Sequence, residues 1–278
     1  MMLLGFLRRS ALVGAWEFKL LWVRPATYVL LLGAALLSAW SFSWLVTLLS
    51  LGTTVALRAA DDPIAQFLGP NIFLIGGCTL LVPLVTMNAI ADERRHGTWE
   101  TLVTAPVSAL EIVAGKFAAL WALFVICLAP WPYFLSVLRF SNGKAALLWN
   151  FIPWFGGSGL PFELGPVLGG LVALATVGGT FVALGLFCSG LCRGPASAAL
   201  VTLLVMGIVL LLGFAPRMLE YWNCPPETAA LVESISCWKH VERFSRGVIE
   251  PRIIAGHVSV CALLLWMTAV MSRRVDET

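Results

Sequence analysis

Charge is scarce in this sequence. Charged residues make up 12% of the 278 positions, against about 25% in soluble domains, too few to cover a water-facing surface. Histidine is rarer still, at three residues: His96, His240 and His257. A metal enzyme would need them clustered, and the first is expected on the opposite side of a membrane from the other two. No Gly-x-x-x-x-Gly-Lys-[Ser/Thr] occurs; Gly115-Lys116 is followed by Phe117, and position 110 is a leucine. The chain therefore has no phosphate-cradling loop of its own. His-Glu-x-x-His and Cys-x-x-Cys are missing too, which removes the common zinc and dithiol signatures. The net charge of +3 and pI near 8.5 are mild and give no support for nucleic-acid binding. No catalytic residue, cofactor or metal is expected, and the chain reads as a non-enzyme.

Apolar residues fill the space that charge leaves. They account for 59% of the sequence, and the mean hydropathy is +0.90. A bilayer core of roughly 30 Å takes about 20 apolar residues per helix. The expected fold is therefore all-α and polytopic, with six transmembrane helices at about 26–49, 67–91, 117–138, 166–191, 196–214 and 253–271. None of these spans carries an ionisable residue at its middle, which argues against an ion-coupled carrier. Thr86 and Asn88, near the end of the second, read as partners for helix–helix hydrogen bonds. Pro130 and Pro132 should kink or end the third, since each lacks an N–H and crowds the preceding turn.

Residues 1–24 are not a signal peptide, because Glu17, Lys19, Arg24 and Pro25 interrupt the apolar run. Leu4, Leu7, Ala11, Gly14, Phe18 and Leu21 follow helical spacing, with Arg8, Arg9, Glu17 and Lys19 off that stripe. This predicts an amphipathic helix lying in the membrane interface, with Trp16 and Trp22 at headgroup level. Arg58, Asp61, Asp62 and Pro63 mark a polar loop, and 139–165 is a Gly- and aromatic-rich loop suited to the interface. Placing both termini in the cytoplasm puts ten of the eighteen Lys and Arg residues inside; four of the remaining eight lie in the longest loop, 216–251, which favours that orientation. In this loop Leu231, Ile235, Trp238 and Val241 form a helical stripe that Gly247 should stop. Cys224 and Cys237 share the loop and form a possible disulfide in an oxidising compartment. Cys78, Cys127, Cys188, Cys192 and Cys261 read as small apolar packing residues.

The stretch 91–116 carries the most information. Gly97 should end the helix that leaves the membrane, Thr98 can cap a new one, and Trp99, Leu102 and Val103 give that short helix an apolar side. Pro106 stops it, and Ser108 with Glu111 three residues on forms a capping-box pattern at the next start. A polar loop that merely turns the chain is the competing reading.

The run Glu93-Arg94-Arg95-x-Gly97-Thr98-x-Glu100-x-Leu102-x-Thr104-x-Pro106-Val107-Ser108, then Glu111-Ile112-Val113 and Gly115-Lys116, resembles the signature segment of ABC-2-type ABC transporter permeases. The likeness is greatest to the branch holding gliding-motility-associated and nitrous-oxide-reductase-maturation permeases. Val241-Glu242-Arg243-Phe244-Ser245-Arg246-Gly247-Val248-Ile249 is similar to the segment that precedes their last span. His96 and Trp99 depart from the pattern. The resemblance implies one ABC-2 transmembrane domain over 1–278, in the bacterial cytoplasmic membrane. It also implies pairing with a second permease copy, as homo- or heterodimer, and with a separate ATP-binding cassette ATPase subunit. The segment 93–112 would contain a cytosolic coupling helix seated in the ATPase. Glu93, Arg94 and Glu100 would orient it by charge, Gly97, Thr98 and Pro106 would shape it, and Leu102 would anchor it. The implied function is ATP-driven export or flipping of a substrate; the alternative is a mechanotransmission or assembly scaffold, with loop 216–251 contacting an extracytoplasmic partner.

Overall fold

A computed structural model describes residues 2–50, 67–99, 107–134, 164–221 and 236–274, with Pro225, Glu227 and Val232. The polar loop at Arg58–Pro63, the interfacial loop through 163, Glu100, Leu102, Pro106, Cys224, Leu231 and Ile235 all lie outside the described residues. Those described are helical: α1 (Met2–Val23), α2 (Pro25–Ser50), α3 (Ile72–Thr86), α4 (Ala91–His96), α5 (Ala109–Leu128), α6 (Leu164–Leu191), α7 (Pro195–Tyr221), α8 (Cys237–Ser245) and α9 (Pro251–Arg274). Among the described residues, six segments are long and apolar enough to cross a membrane: Pro25–Thr47, Ile72–His96, Ala109–Phe134, Gly165–Leu191, Pro195–Ala215 and Pro251–Ser272.

The spans divide into a centre and a rim. α3, α5 and α6 bury at least half of their apolar windows, whereas α2, α7 and α9 bury 22% or less. Leu32, Leu36, Leu204, Leu211, Leu263 and Trp266 are exposed on these outer helices, a distribution that water would penalise and lipid tolerates. The centre closes through small residues. Gly178 of α6 lies against the Phe124 ring of α5, and Gly185 against Thr86 of α3, so the backbones approach where a side chain would keep them apart. Thr86 itself donates to the Val82 carbonyl at 2.8 Å. It satisfies its hydroxyl within its own helix and contributes packing to α6, instead of the expected hydrogen bond between helices.

Two expected boundaries move. The second span does not run unbroken to residue 91: α3 ends at Thr86, one turn after Pro83, and the chain turns before α4 starts. The third helix begins at Ala109 instead of 117, because the Ser108–Glu111 capping box is fully formed. Ser108 N–H donates to the Glu111 carboxylate at 2.8 Å and Glu111 N–H to the Ser108 hydroxyl at 3.3 Å. Lys116, expected before the span, therefore lies in the second turn of α5.

α1 meets the protein through its small residues. Leu7, Leu12, Trp16 and Leu20 are exposed, while Ser10, Val13, Gly14, Glu17 and Leu21 face the protein. The contact stripe is the small-residue one, offset from the most apolar one, and Glu17 belongs to it. α1 crosses the first turns of α5 at Gly14 and Gly115. A Cβ on Gly115 would stand 2.8 Å from the Ser10 carbonyl and 2.8 Å from the Val13 Cβ. At the far end of the bundle, α8 lies across α6 with Trp238, Val241 and Phe244 buried, and Gly247 closes it at φ 83°.

The crossing yields a test. Gly115→Leu should destabilise the purified protein by about 1–3 kcal/mol through overpacking, read by thermal unfolding in detergent. Gly33→Ala, whose new Cβ would meet nothing within 4 Å, should not.

Candidate functional site

The end of the bundle that carries α4 gathers most of the described charge. α4 is a six-residue helix, Ala91–His96, closed by Gly97 at φ 70°, a left-handed conformation that glycine adopts without steric cost. Its entry is built by α6. The N–H groups of Ile90 and Ala91 both donate to the Ser189 hydroxyl at 3.2 Å, and Ser189 donates to the Met87 carbonyl at 3.4 Å. These bonds satisfy backbone groups that a break in a membrane helix would otherwise leave bare. The Arg94 guanidinium then reaches back to the Gly190 carbonyl.

Lys116 ties the same turn to α1. Its side chain is 3% exposed, and its ammonium donates to Glu17 and to Glu93 at 2.6 Å each. The two carboxylates come from different helices, Glu17 from α1 and Glu93 from α4. A single buried cation flanked by two half-buried anions gives strong attraction, and removing one partner of such a pair costs about 3–5 kcal/mol. Arg9 adds a looser contact to Glu111 at 3.9 Å; being exposed, Arg9 contributes little.

The expected coupling residues thus separate by direction. Glu93 and Arg94 point into the protein and hold α4 to α1, α5 and α6. Arg95, His96, Gly97 and Thr98 are exposed. The Thr98 hydroxyl donates to the Glu93 carbonyl at 3.3 Å, fastening the chain just beyond the glycine. Trp99 is 2% exposed, so its ring plugs the elbow. Glu100, Leu102 and Pro106 lie outside the described residues.

The other end of the bundle holds a second polar cluster. His240 of α8 and His257 of α9 meet with Nδ1 and Nε2 3.2 Å apart, and His257 Nδ1 lies 2.9 Å from the Thr180 hydroxyl. Among the described residues no group of three His, Cys, Asp or Glu could hold a metal ion. Burial pushes the Cys237 thiol at the start of α8 above its ordinary value. The polar face of α8 is ion-paired within itself, Arg246 to Glu242 at 2.8 Å and Lys239 to Glu242 at 3.7 Å.

An apolar bundle and a short charged helix broken by glycine describe a membrane body with a handle. The family profile of ABC-2 family transporter proteins matches residues 50–235, more than half of the chain. The chain belongs to the ABC-2 transporter family. No curated protein matches it. As an ABC-2 permease it is a multi-pass membrane protein of a family whose transmembrane subunits typically lack catalysis and generally pair with an ATPase subunit. The sequence reading missed Glu17 and Lys116 in this permease, treating both as solvated charges.

The triad makes a sharp prediction. Lys116→Met should lower stability by about 3–5 kcal/mol, since it strands both carboxylates. Glu17→Gln should cost less, because Glu93 keeps its partner. A double-mutant cycle on thermal unfolding should show the two changes to be non-additive.

Proposed function

We propose that this permease couples ATP hydrolysis by a separate ATP-binding cassette subunit to export or flipping of a substrate across the bacterial cytoplasmic membrane. It works beside a second permease copy, with both termini cytoplasmic. The α4 end is then the cytosolic end. Segment 97–106 is the coupling helix that the ATPase grips, with Leu102 as its apolar anchor and Glu100 and Pro106 completing it. The gliding-motility and nitrous-oxide-reductase-maturation permeases remain the branch whose motifs these residues most resemble.

One observation carries this reading: the elbow at Gly97 is exposed on its outer side and fastened on its inner side to three parts of the body. A push on the segment beyond Gly97 reaches α1 through Glu93 and Lys116, α5 through Lys116, and α6 through Arg94 and Ser189. Glu93 and Arg94 accordingly orient the coupling segment by charge from inside the permease and serve transmission there. Arg95, exposed beside Gly97, offers the partner-facing charge.

Leu102→Asp should abolish co-purification of the cognate ATPase while leaving membrane insertion intact, and Arg95→Glu should weaken it. An ATPase retained by Leu102→Asp at wild-type stoichiometry would contradict the coupling role. In liposomes holding permease and ATPase, substrate movement that depends on ATP supports export. Hydrolysis without movement favours the scaffold alternative.

A further inference from the structure

The α1–α2 corner leaves a crevice that is open at its mouth. It runs between that corner, the end of α3 and the early turns of α5. Its lining has two halves. One is charged: Glu17, Arg24, Glu93 and Lys116. The other is apolar, with Leu30, Leu84 and Leu123 among its side chains. Charged and apolar walls meet beside the bend at Arg24, where the apolar span α2 begins.

The charged half is incompletely satisfied. Glu93 Oε1 accepts from Lys116, but Glu93 Oε2 is buried and has no hydrogen-bond partner, an arrangement that costs free energy unless a donor fills it. Arg24 forms no ion pair with a described residue. The four charged side chains sum to zero, two carboxylates against two cations, so an anion or a cation bound alone would leave the crevice charged. A zwitterion would not. A ligand that brings an N–H donor to Glu93 Oε2 and an anionic group to Arg24, with an apolar tail along Leu30, Leu84 and Leu123, matches both halves of the lining.

We propose that this crevice binds a zwitterionic phospholipid bearing a primary amine. The ammonium donates to Glu93 Oε2, the phosphate lies on Arg24, and an acyl chain follows the apolar wall. A quaternary ammonium headgroup has no N–H to donate, and a headgroup with only the phosphate charge brings no ammonium to Glu93 Oε2 and leaves the crevice with an unbalanced negative charge. The lipid braces the α1–α2 corner against α3 and α5.

The test is native mass spectrometry of the full-length permease in detergent, titrated in turn with dioleoyl phosphatidylethanolamine, phosphatidylcholine and phosphatidylglycerol. A hydrogen bond to a charged group corresponds to roughly ten-fold or more in affinity, so the ethanolamine lipid should bind about ten-fold more tightly than either other lipid. Leu84→Trp, at a position 42% exposed, should remove that preference by filling the apolar wall. Ala26→Trp, at the exposed mouth, should do the same should the first variant fold poorly. Glycerophosphoethanolamine, the same headgroup without chains, should not compete at equal concentration. Equal binding of the three lipids, an unchanged preference in a folded variant, or full competition by the chainless headgroup would each overturn the proposal.

Discussion

Lys116 stands between Glu17 and Glu93 in a position almost closed to water, and the geometry of the α4 end follows from that placement. A lone ammonium there would be expensive, and so would either carboxylate without it. The three groups are therefore stable only together, which forces α1, α4 and α5 into one arrangement. The Gly14–Gly115 crossing lets α1 come near enough for Glu17 to reach. The capping box at Ser108 starts α5 early enough to lift Lys116 into the bundle. Each of these local features is ordinary, and their joint effect is a rigid corner.

That corner has a mechanical meaning in a permease without an engine. On the proposed coupling role, force delivered beyond Gly97 would enter the spans through side chains and backbone bonds already in place. Ser189, Gly190 and Lys116 provide three such routes, to α6, α1 and α5. α6 is the most buried of the spans and meets α8 at its other end, where Phe181 packs on Trp238 with ring centroids 5.7 Å apart. A displacement of α6 is thus felt at both faces of the bundle. α8 turns its apolar side inward, so Trp238 and Val241 anchor it to the body. On the proposed orientation, an extracytoplasmic partner would meet the ion-paired polar face instead.

The architecture was legible in the sequence because long uncharged runs have few alternatives: six of them in a bilayer must be helices. The capping box was legible too, since Ser108 and Glu111 carry their geometry in their spacing. What escaped was the pairing of charges. Glu17 and Lys116 are separated by 99 positions, and each alone looks like a solvated residue at a membrane surface. One clue was available: the capping box places Lys116 two turns inside a helix, where an unpaired lysine would be costly. The contact face of α1 was not legible, because apolar spacing marks what avoids water, and in lipid that includes the outward face; helix–helix contact follows small residues instead. The break after Pro83 was hidden because Ser189, which satisfies it, lies about a hundred residues away.

The central claim is that Lys116 makes α1 and the elbow at Gly97 a single moving body. Spin labels introduced with an unnatural amino acid at Arg8 and Arg95, both exposed, would report it by electron–electron distance measurement in the permease–ATPase complex. One distance distribution, unchanged between nucleotide-free and ATP-bound complexes, is the predicted result. A distance that changes with nucleotide while Lys116 is intact would contradict the account.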